Sequence, residues 1–357
     1  MAQRKQAVTI KHVARDAGVS LQTVSRVMNN VPNVSPEMKR RVQASIDRLG
    51  YVPSIAAQRM GGSRSYIILA INDRERTIAD WQLRQGTDWV DQMLLGGMTK
   101  CAEHGYRMLI ELVDTHNDHV ERELGAALTA LQPDGVIITP PHSDNPQILA
   151  LLQARAIPFA RIGSTGADGL GGIALTMDDE GSARLAVRHL AELGHRQIGF
   201  IAGPADYQLS GWRVDGWRAE MVLHGLDAAD SLLETGDFTF EGGTRAARAL
   251  LACEPRPTAI IASNDQMAFA TLEVASALGL DVPGDLSLVS FDNTPMARFT
   301  RPSLTAIDQP VAETAARAVD LLISQQRGDD ADPVPMPINV SGSLVVRGST
   351  AAPLPQA

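Results

Sequence analysis

The sequence predicts two kinds of structure in one chain: an N-terminal all-α helix-turn-helix head and, behind it, an α/β core of two doubly wound parallel-sheet subdomains. Three observations point there. The first fifty residues contain three short, capped helical patterns; short apolar runs alternate with amphipathic stretches from Tyr66 onward; and charge is segregated along the chain. A length of 357 residues suits two or three folded units.

The segregation is steep. Residues 1–64 carry eleven Lys and Arg against three Asp and Glu, so a chain of net charge −9 hides a head of +8 and a remainder of −17. A basic head on an acidic body suits a protein whose small module meets phosphates while the body repels them. No window approaches the roughly 18 uninterrupted apolar residues of a membrane span, and Met1-Ala2-Gln3-Arg4-Lys5 opens no apolar leader, which leads to an expected cytoplasmic location without a membrane partner. Cys101 and Cys253 lie far apart without metal-ligand companions, as in a reducing compartment.

Within the head, Thr9 can cap a helix over Ile10 to Ala17 that Gly18 ends, Ser20 can cap a second running to Asn29 or Asn30, and Ser35-Pro36 opens a third that closes near Leu49-Gly50. Only Gly18-Val19-Ser20 separates the first two, the turn length of a helix-turn-helix. At about 100° per residue, Gln22, Ser25 and Arg26 share one arc of the second helix, and Val24, Val27 and Met28 the opposite one. Arg26 can reach guanine edges and Gln22 adenine, while Ser20, Thr23, Ser25 and Asn29 suit phosphate oxygens, as does Thr9 at the first helix start. Leu21 lies close to Met28 on the wheel and is open to two roles, a thymine-methyl contact or core packing.

The run from Val8 to Asn29, followed by Val34-Ser35-Pro36 and Leu49-Gly50-Tyr51-Val52-Pro53, resembles the DNA-binding head of the LacI/GalR family of bacterial regulators, with turn, caps and hinge in register. The resemblance implies a head over residues 1–52 and a hinge helix and linker over 53–65. In the family the hinge pushes an apolar wedge into the operator's central minor groove. That places the wedge at Met60 with Ala57 beside it, where the family usually has leucine; otherwise Met60 is a plain linker residue.

In the body, Tyr66–Ile71, Met108–Val113, Gly135–Thr139, Gln197–Ile201, Thr258–Ser263 and Leu286–Phe291 read as buried parallel strands, with helices such as Glu180 to Leu193 and Gln266 to Leu278 between them. The resemblance implies a core like that of periplasmic sugar-binding proteins over 66–347. Three crossovers would join an N-subdomain (66–162 and 292–323) to a C-subdomain (163–291 and 324–347), with 348–357 a flexible tail. Ligands of such sheets sit past the carboxyl ends of the strands, where Asn72-Asp73, Asn264-Asp265 and Asp292-Asn293 fall. By family position, Arg213 in Trp212-Arg-Val-Asp-Gly-Trp217 is the effector arginine, Phe238 the aromatic that stacks on the ligand, and Asn264 and Asp292 further contacts, joined by Asp73. Capping is the alternative role for Asn264 and Asp292, and a surface ion pair for Arg213. Where sugar-responsive members carry aspartate after Ile157-Pro158, this chain reads Phe159-Ala-Arg-Ile-Gly163, which brings Arg161 toward the site. A long polar loop is expected over Arg74 to Asp91, with Trp81 and Trp89 lining the cleft mouth or packing the loop.

GxSxG, HExxH, Walker A and GxGxxG patterns are absent, so no catalytic residue, cofactor or metal is expected. The resulting expectation is a homodimeric, DNA-binding transcriptional regulator, a repressor of carbohydrate uptake or catabolism genes. It would sit on a pseudo-palindromic double-stranded operator and be released by a small sugar. A purine- or nucleoside-responsive regulator of the same fold is the alternative, and an α/β sugar-acting enzyme the alternative from another class. Arg213→Ala should then leave DNA binding intact and abolish release.

Overall fold

The computed structural model describes residues 8–28, 34–51, 64–84, 86, 88–115, 119–327 and 336–354, and its chain divides into a unit ending at Ser65 and one beginning at Tyr66. Asn29, Ala57 and Met60 lie outside the described residues, as does nearly all of the hinge segment.

Among its described residues the head holds three helices, α1 (Ile10–Ala17), α2 (Leu21–Met28) and α3 (Pro36–Leu49). Local chemistry places their ends. Gly18 closes α1 at φ 62°, Ser20 Oγ accepts the Thr23 N–H at 3.1 Å to start α2, and Ser35 Oγ accepts the Met38 N–H at 3.3 Å to start α3. Their apolar faces meet in a small core of Val13, Ala14, Ala17, Val24, Val27, Val42 and Tyr51. Arg41 Nη2 ties α3 to the end of α1 through the Ala17 carbonyl at 2.7 Å.

The core unit contains two six-stranded sheets. The first runs β11 (Ile338–Asn339), β5 (Ile173–Thr176), β4 (Phe159–Ile162), β3 (Gly135–Ile138), β1 (Ile67–Asp73) and β2 (Arg107–Val113), all parallel. The second runs β12 (Ser343–Val345), β10 (Thr305–Asp308), β9 (Ser287–Asp292), β8 (Ala259–Ala262), β6 (Ile198–Ala202) and β7 (Leu233–Thr235), parallel except for the β10–β12 pair. Central strands such as β1 are buried along their whole length, which is why they read as unbroken apolar runs rather than alternating ones. The helices between are α4 (Arg74–Leu83), α5 (Asp88–Glu103), α6 (Val120–Leu131), α7 (Pro146–Ala154), α8 (Asp179–Glu192), α9 (Gln208–Leu223), α10 (Phe240–Leu251), α11 (Asp265–Ala277) and α12 (Val311–Arg327). Helix α12 returns to the first lobe, and it lies so close to α5 that a Cβ at Gly96 would stand 1.8 Å from the Ala312 carbonyl oxygen.

The path between lobes corrects the expected boundaries. β5 belongs to the first sheet, so the first crossing comes after Thr176 rather than near residue 163; β10 belongs to the second sheet, so residues 292–308 stay there; and β11 rejoins the first sheet before β12 rejoins the second. A helical or extended pattern marks an element but not the sheet it joins. The expected flexible tail is also corrected for residues 348–354. Ser349 is fully buried, its carbonyl accepts the Leu288 N–H at 2.8 Å, and its Oγ accepts the Thr305 N–H at 2.8 Å. The stretch Arg74 to Asp91 is not one long loop either: Asp73 Oδ1 accepts the Arg76 N–H at 2.6 Å and so starts α4 directly at the end of β1.

Candidate functional site

In the head, α2 turns its two faces as the helical wheel divides them. Val24 and Val27 are buried, whereas Gln22 and Arg26 are exposed and Thr23 and Ser25 half-buried beside them. Leu21 is 44% exposed, which places it on the outer face and not in the core. Ser20 and Thr9 are exposed at the starts of α2 and α1, where free backbone N–H groups and the helix dipole favour an anionic oxygen. The exposed cations Lys11, Arg15, Arg26, Lys39 and Arg40 give the unit its positive surface.

In the core unit a cavity opens at the carboxyl ends of both sheets. It encloses about 860 Å³ of atom-free space, solvent at its mouth included. The first lobe contributes Asn72 and Asp73 from the end of β1, Arg76 and Asp80 from α4, and Asp88 and Trp89 from α5. The second contributes Tyr207, Arg213, Phe238, Ser263, Asn264, Asp265, Asp292 and Thr294, and Gln309 enters from the strand-to-helix crossing after β10. Strand ends supply the polar groups because there the sheet's hydrogen bonding stops and the next helix has not yet covered it.

Five of the six expected effector residues line this cavity: Asp73, Arg213, Phe238, Asn264 and Asp292. Arg213 is buried, and its Nε and Nη2 reach Asp179 Oδ1 at 2.8 Å while Nη1 donates to the Ser263 carbonyl at 2.6 Å. Its guanidinium carbon lies 4.5 Å from the centre of the Phe291 ring. The surface ion pair considered for Arg213 is thus a buried one. Asn264 caps α11 by accepting the Met267 N–H at 2.9 Å, and its Nδ2 donates to the Phe238 carbonyl at 2.9 Å, leaving one N–H and one lone pair for anything else. Phe238 sits in the left-handed region at φ 63° with its ring edge-on to Tyr207, 5.4 Å between centres.

Arg161 is the sixth, and the structure corrects it. It does not line the cavity: it is fully buried within the first lobe, ion-paired to Asp144 and Asp168, with Nε on the Ser143 carbonyl at 2.9 Å and Nη1 on the Gly171 carbonyl at 3.2 Å. Alternation along β4 puts it on the same face as Phe159, and its guanidinium there holds the Asp168 carboxyl down at about 2. Trp89 lines the cavity, whereas Trp81 is 46% exposed and does not.

Arg76 was not anticipated. From α4 it crosses to the second lobe, where Nη1 donates to the Asp237 carbonyl at 2.6 Å and Nη2 to the Phe238 carbonyl at 3.2 Å, with Nε on Asp80 Oδ2 at 3.1 Å. The only sequence signal was an aspartate at the end of a strand followed three residues later by a cappable N–H, the start of a helix in a stretch too polar to show periodicity.

Asp265 and Asp292 face each other's charge. Burial pushes Asp265 up to about 6 although Ser290 and Thr294 donate to it, and burial together with Asp265 pushes Asp292 up to about 7, against the pull of Arg213. Asp292 also holds a φ of 84°, a backbone strain of about 1–3 kcal/mol for a residue with a side chain. Because both carboxyls titrate above their ordinary 3.8, the folded core retains protons that the unfolded chain has lost. Their contribution to stability is full below pH 3.8 and is lost as pH rises to about 7. Asp292→Asn is therefore expected to flatten the decline in ligand-free stability between pH 5 and 8, measured by urea unfolding; an unchanged slope would contradict the assigned environment.

A basic helix-turn-helix unit and a separate two-lobed unit with a polar cavity at its strand ends are thus present in one chain. The model for bacterial regulatory proteins of the lacI family matches residues 9–54, and that for the periplasmic binding protein-like domain matches residues 187–350. The HTH-type transcriptional regulator CelR of Thermobifida fusca is 30% identical over 350 residues, covering 97% of this chain and 99% of the relative. The chain belongs to the LacI family. Among solved structures, a complex of transcriptional regulator CelR with cellobiose is similar at TM-score 0.70 and 28% identity, covering 96% of this chain and 99% of that one. The lac repressor dimer bound to operator and the anti-inducer ONPF is similar at TM-score 0.75 and 27% identity, covering 97% of this chain and 100% of that one.

As a LacI-family member the chain is a DNA-binding transcriptional regulator, with the helix-turn-helix unit as its DNA-binding part. Among the described residues no group of three or more His, Cys, Asp or Glu could hold a metal ion, and no helix is long and apolar enough to cross a membrane.

Proposed function

We propose that the protein is a repressor of carbohydrate-utilisation genes that acts in the cytoplasm as a homodimer, with no catalytic activity. Two α2 helices occupy successive major grooves of a pseudo-palindromic operator, and a carbohydrate bound in the core cavity shifts the dimer so that DNA is released. The observation that carries this reading is the cavity itself, in which an amide, carboxylates, a guanidinium fork and an aromatic ring converge at the strand ends of both lobes. Polyhydroxylated ligands need that mixture of donors and acceptors beside one apolar face. The cellobiose complex of CelR and the operator-bound lac repressor dimer support it by likeness. Asn29, Ala57 and Met60 complete the proposed DNA contacts made by Thr9, Ser20, Leu21, Gln22, Thr23, Ser25 and Arg26.

The test is thermal unfolding of the full chain with mono- and disaccharides, sugar phosphates, amino sugars, nucleosides and purines. A ligand at a hundred times its Kd stabilises by about 2.7 kcal/mol, a shift of a few degrees that is easily read. At least one carbohydrate is expected to raise Tm, and Phe238→Ala to remove the shift. A rise with nucleosides or purines alone would overturn the carbohydrate assignment.

A further inference from the structure

We infer that the effector carries an ammonium group, seated between Asp88 of the first lobe and Asp292 of the second. This rests on the proposed carbohydrate-binding role and narrows it to an amine-bearing carbohydrate.

The charge of the cavity wall is lopsided. Five aspartates line it against two arginines, and both arginines are already engaged. Arg213 is held by Asp179, which does not line the cavity, and Arg76 by Asp80 and two backbone carbonyls. Asp73 caps α4 and stands 3.5 Å from His142 Nε2. That leaves Asp88 and Asp292, together with Asp265, which accepts from Ser290 and the Thr294 N–H but has no cation paired to it. Asp88 begins α5, and its charge raises both Asp265 and Asp292 across the cleft; burial and Asp91 raise Asp88 in turn. Arg213 is the cation that opposes this crowding at Asp292. Like charges gathered at a solvent-screened mouth would cost little, but these lie where burial amplifies their repulsion.

A second observation concerns neutral atoms. Ser263 Oγ, Thr294 Oγ1 and Gln309 Oε1 all belong to residues that line this cavity, and each is buried with no hydrogen-bond partner. Ser263 is fully buried and Thr294 is 7% exposed. Buried polar atoms are ordinarily paired, and leaving one unpaired costs about 1–3 kcal/mol. The Gln309 oxygen can only accept, so its partner must be a donor. An ammonium supplies three donors and a positive charge; sugar hydroxyls serve the Ser263 and Thr294 oxygens. Phe238 already carries a cation over its ring, the Arg76 guanidinium carbon 5.5 Å from its centre, and Trp89 is the further aromatic side chain lining the cavity. A neutral sugar would satisfy the hydroxyls and leave the carboxylates crowded, and an anionic one would add to the repulsion.

The experiment is calorimetric titration of the full chain at pH 7.5 with matched sets: glucosamine, glucose, N-acetylglucosamine and glucuronate, the galactose series, and putrescine as an amine without hydroxyls. An amine member is expected to bind at least about tenfold tighter than its neutral counterparts, the gain of one charge-assisted hydrogen bond. Glucuronate is expected not to bind. Asp88→Asn should reduce the amine preference to about threefold or less, with far-UV circular dichroism and Tm reporting that the variant is folded; if it is not, the matched sets on the unsubstituted chain decide alone. Neutral sugars binding as tightly as their amines, or no amine member binding, overturns the inference while the carbohydrate role stands on any neutral binder. Putrescine binding with no carbohydrate of any kind retains the ammonium and overturns the carbohydrate role.

Discussion

Replacing Arg213 by alanine is expected to lower the stability of the core by about 3–5 kcal/mol, the cost of removing one partner of a buried ion pair. The guanidinium is the counter-charge of Asp179, which is itself buried at the start of α8, carries an Oδ2 without a partner, and is pushed up by desolvation against the pull of Arg213. Alanine would leave that carboxylate, the Ser263 carbonyl and one face of Phe291 without their neighbour. Urea unfolding of the variant measures the loss, and the double change Arg213→Met with Asp179→Asn should recover part of it, since the stranded charge is gone. A stability within about 0.5 kcal/mol of the parent would show the pair to be unimportant. The expectation that Arg213→Ala leaves DNA binding intact and abolishes release therefore applies at a temperature where the variant is shown by its unfolding curve to be folded.

Replacing Arg26 by alanine should act on DNA alone. The side chain is exposed on the outer face of α2, opposite Val24 and Val27, so its loss leaves the head core in place. A bidentate contact to guanine carries about 1–3 kcal/mol of discrimination, so specific affinity should fall by about ten- to a hundredfold and preference at one base pair of each half-site should relax. Selection of operators from random DNA followed by anisotropy titration at fixed salt reads both effects. Exchanging Gln22 and Arg26 should redirect the preference, because amide and guanidinium forks match different base edges. A uniform loss on all sequences would instead make Arg26 a phosphate contact.

What the sequence makes legible follows from how local the physics is. The caps at Ser20 and Ser35 and the left-handed glycines at Gly18 and Gly50 are each decided within four residues, so the head can be read almost whole. Central strands such as β1 and β8 announce themselves because both faces are buried. The short strands β10, β11 and β12 do not, and nothing in their composition reveals which sheet each joins; for β11 that depends on β5, more than a hundred residues distant, and for β12 on a pairing with β10 rather than with β11 beside it in the chain. Candidate positions after strands were identifiable because open sheets place ligands there, hence Asp73, Asn264 and Asp292. Arg76 was hidden in a polar stretch, and Arg161 was misplaced because its two carboxylate partners, Asp144 and Asp168, come together only in the folded lobe.

The central claim is that the cavity and the DNA-binding head are coupled. It is tested most directly by titrating the full chain, bound to an operator selected from random DNA, with the carbohydrate that raises its Tm. Operator affinity is expected to fall by at least about fivefold, and affinity for that carbohydrate to fall by the same factor when operator is present, because coupling between two sites is reciprocal. A carbohydrate that saturates the cavity while operator affinity stays unchanged or rises would contradict the account.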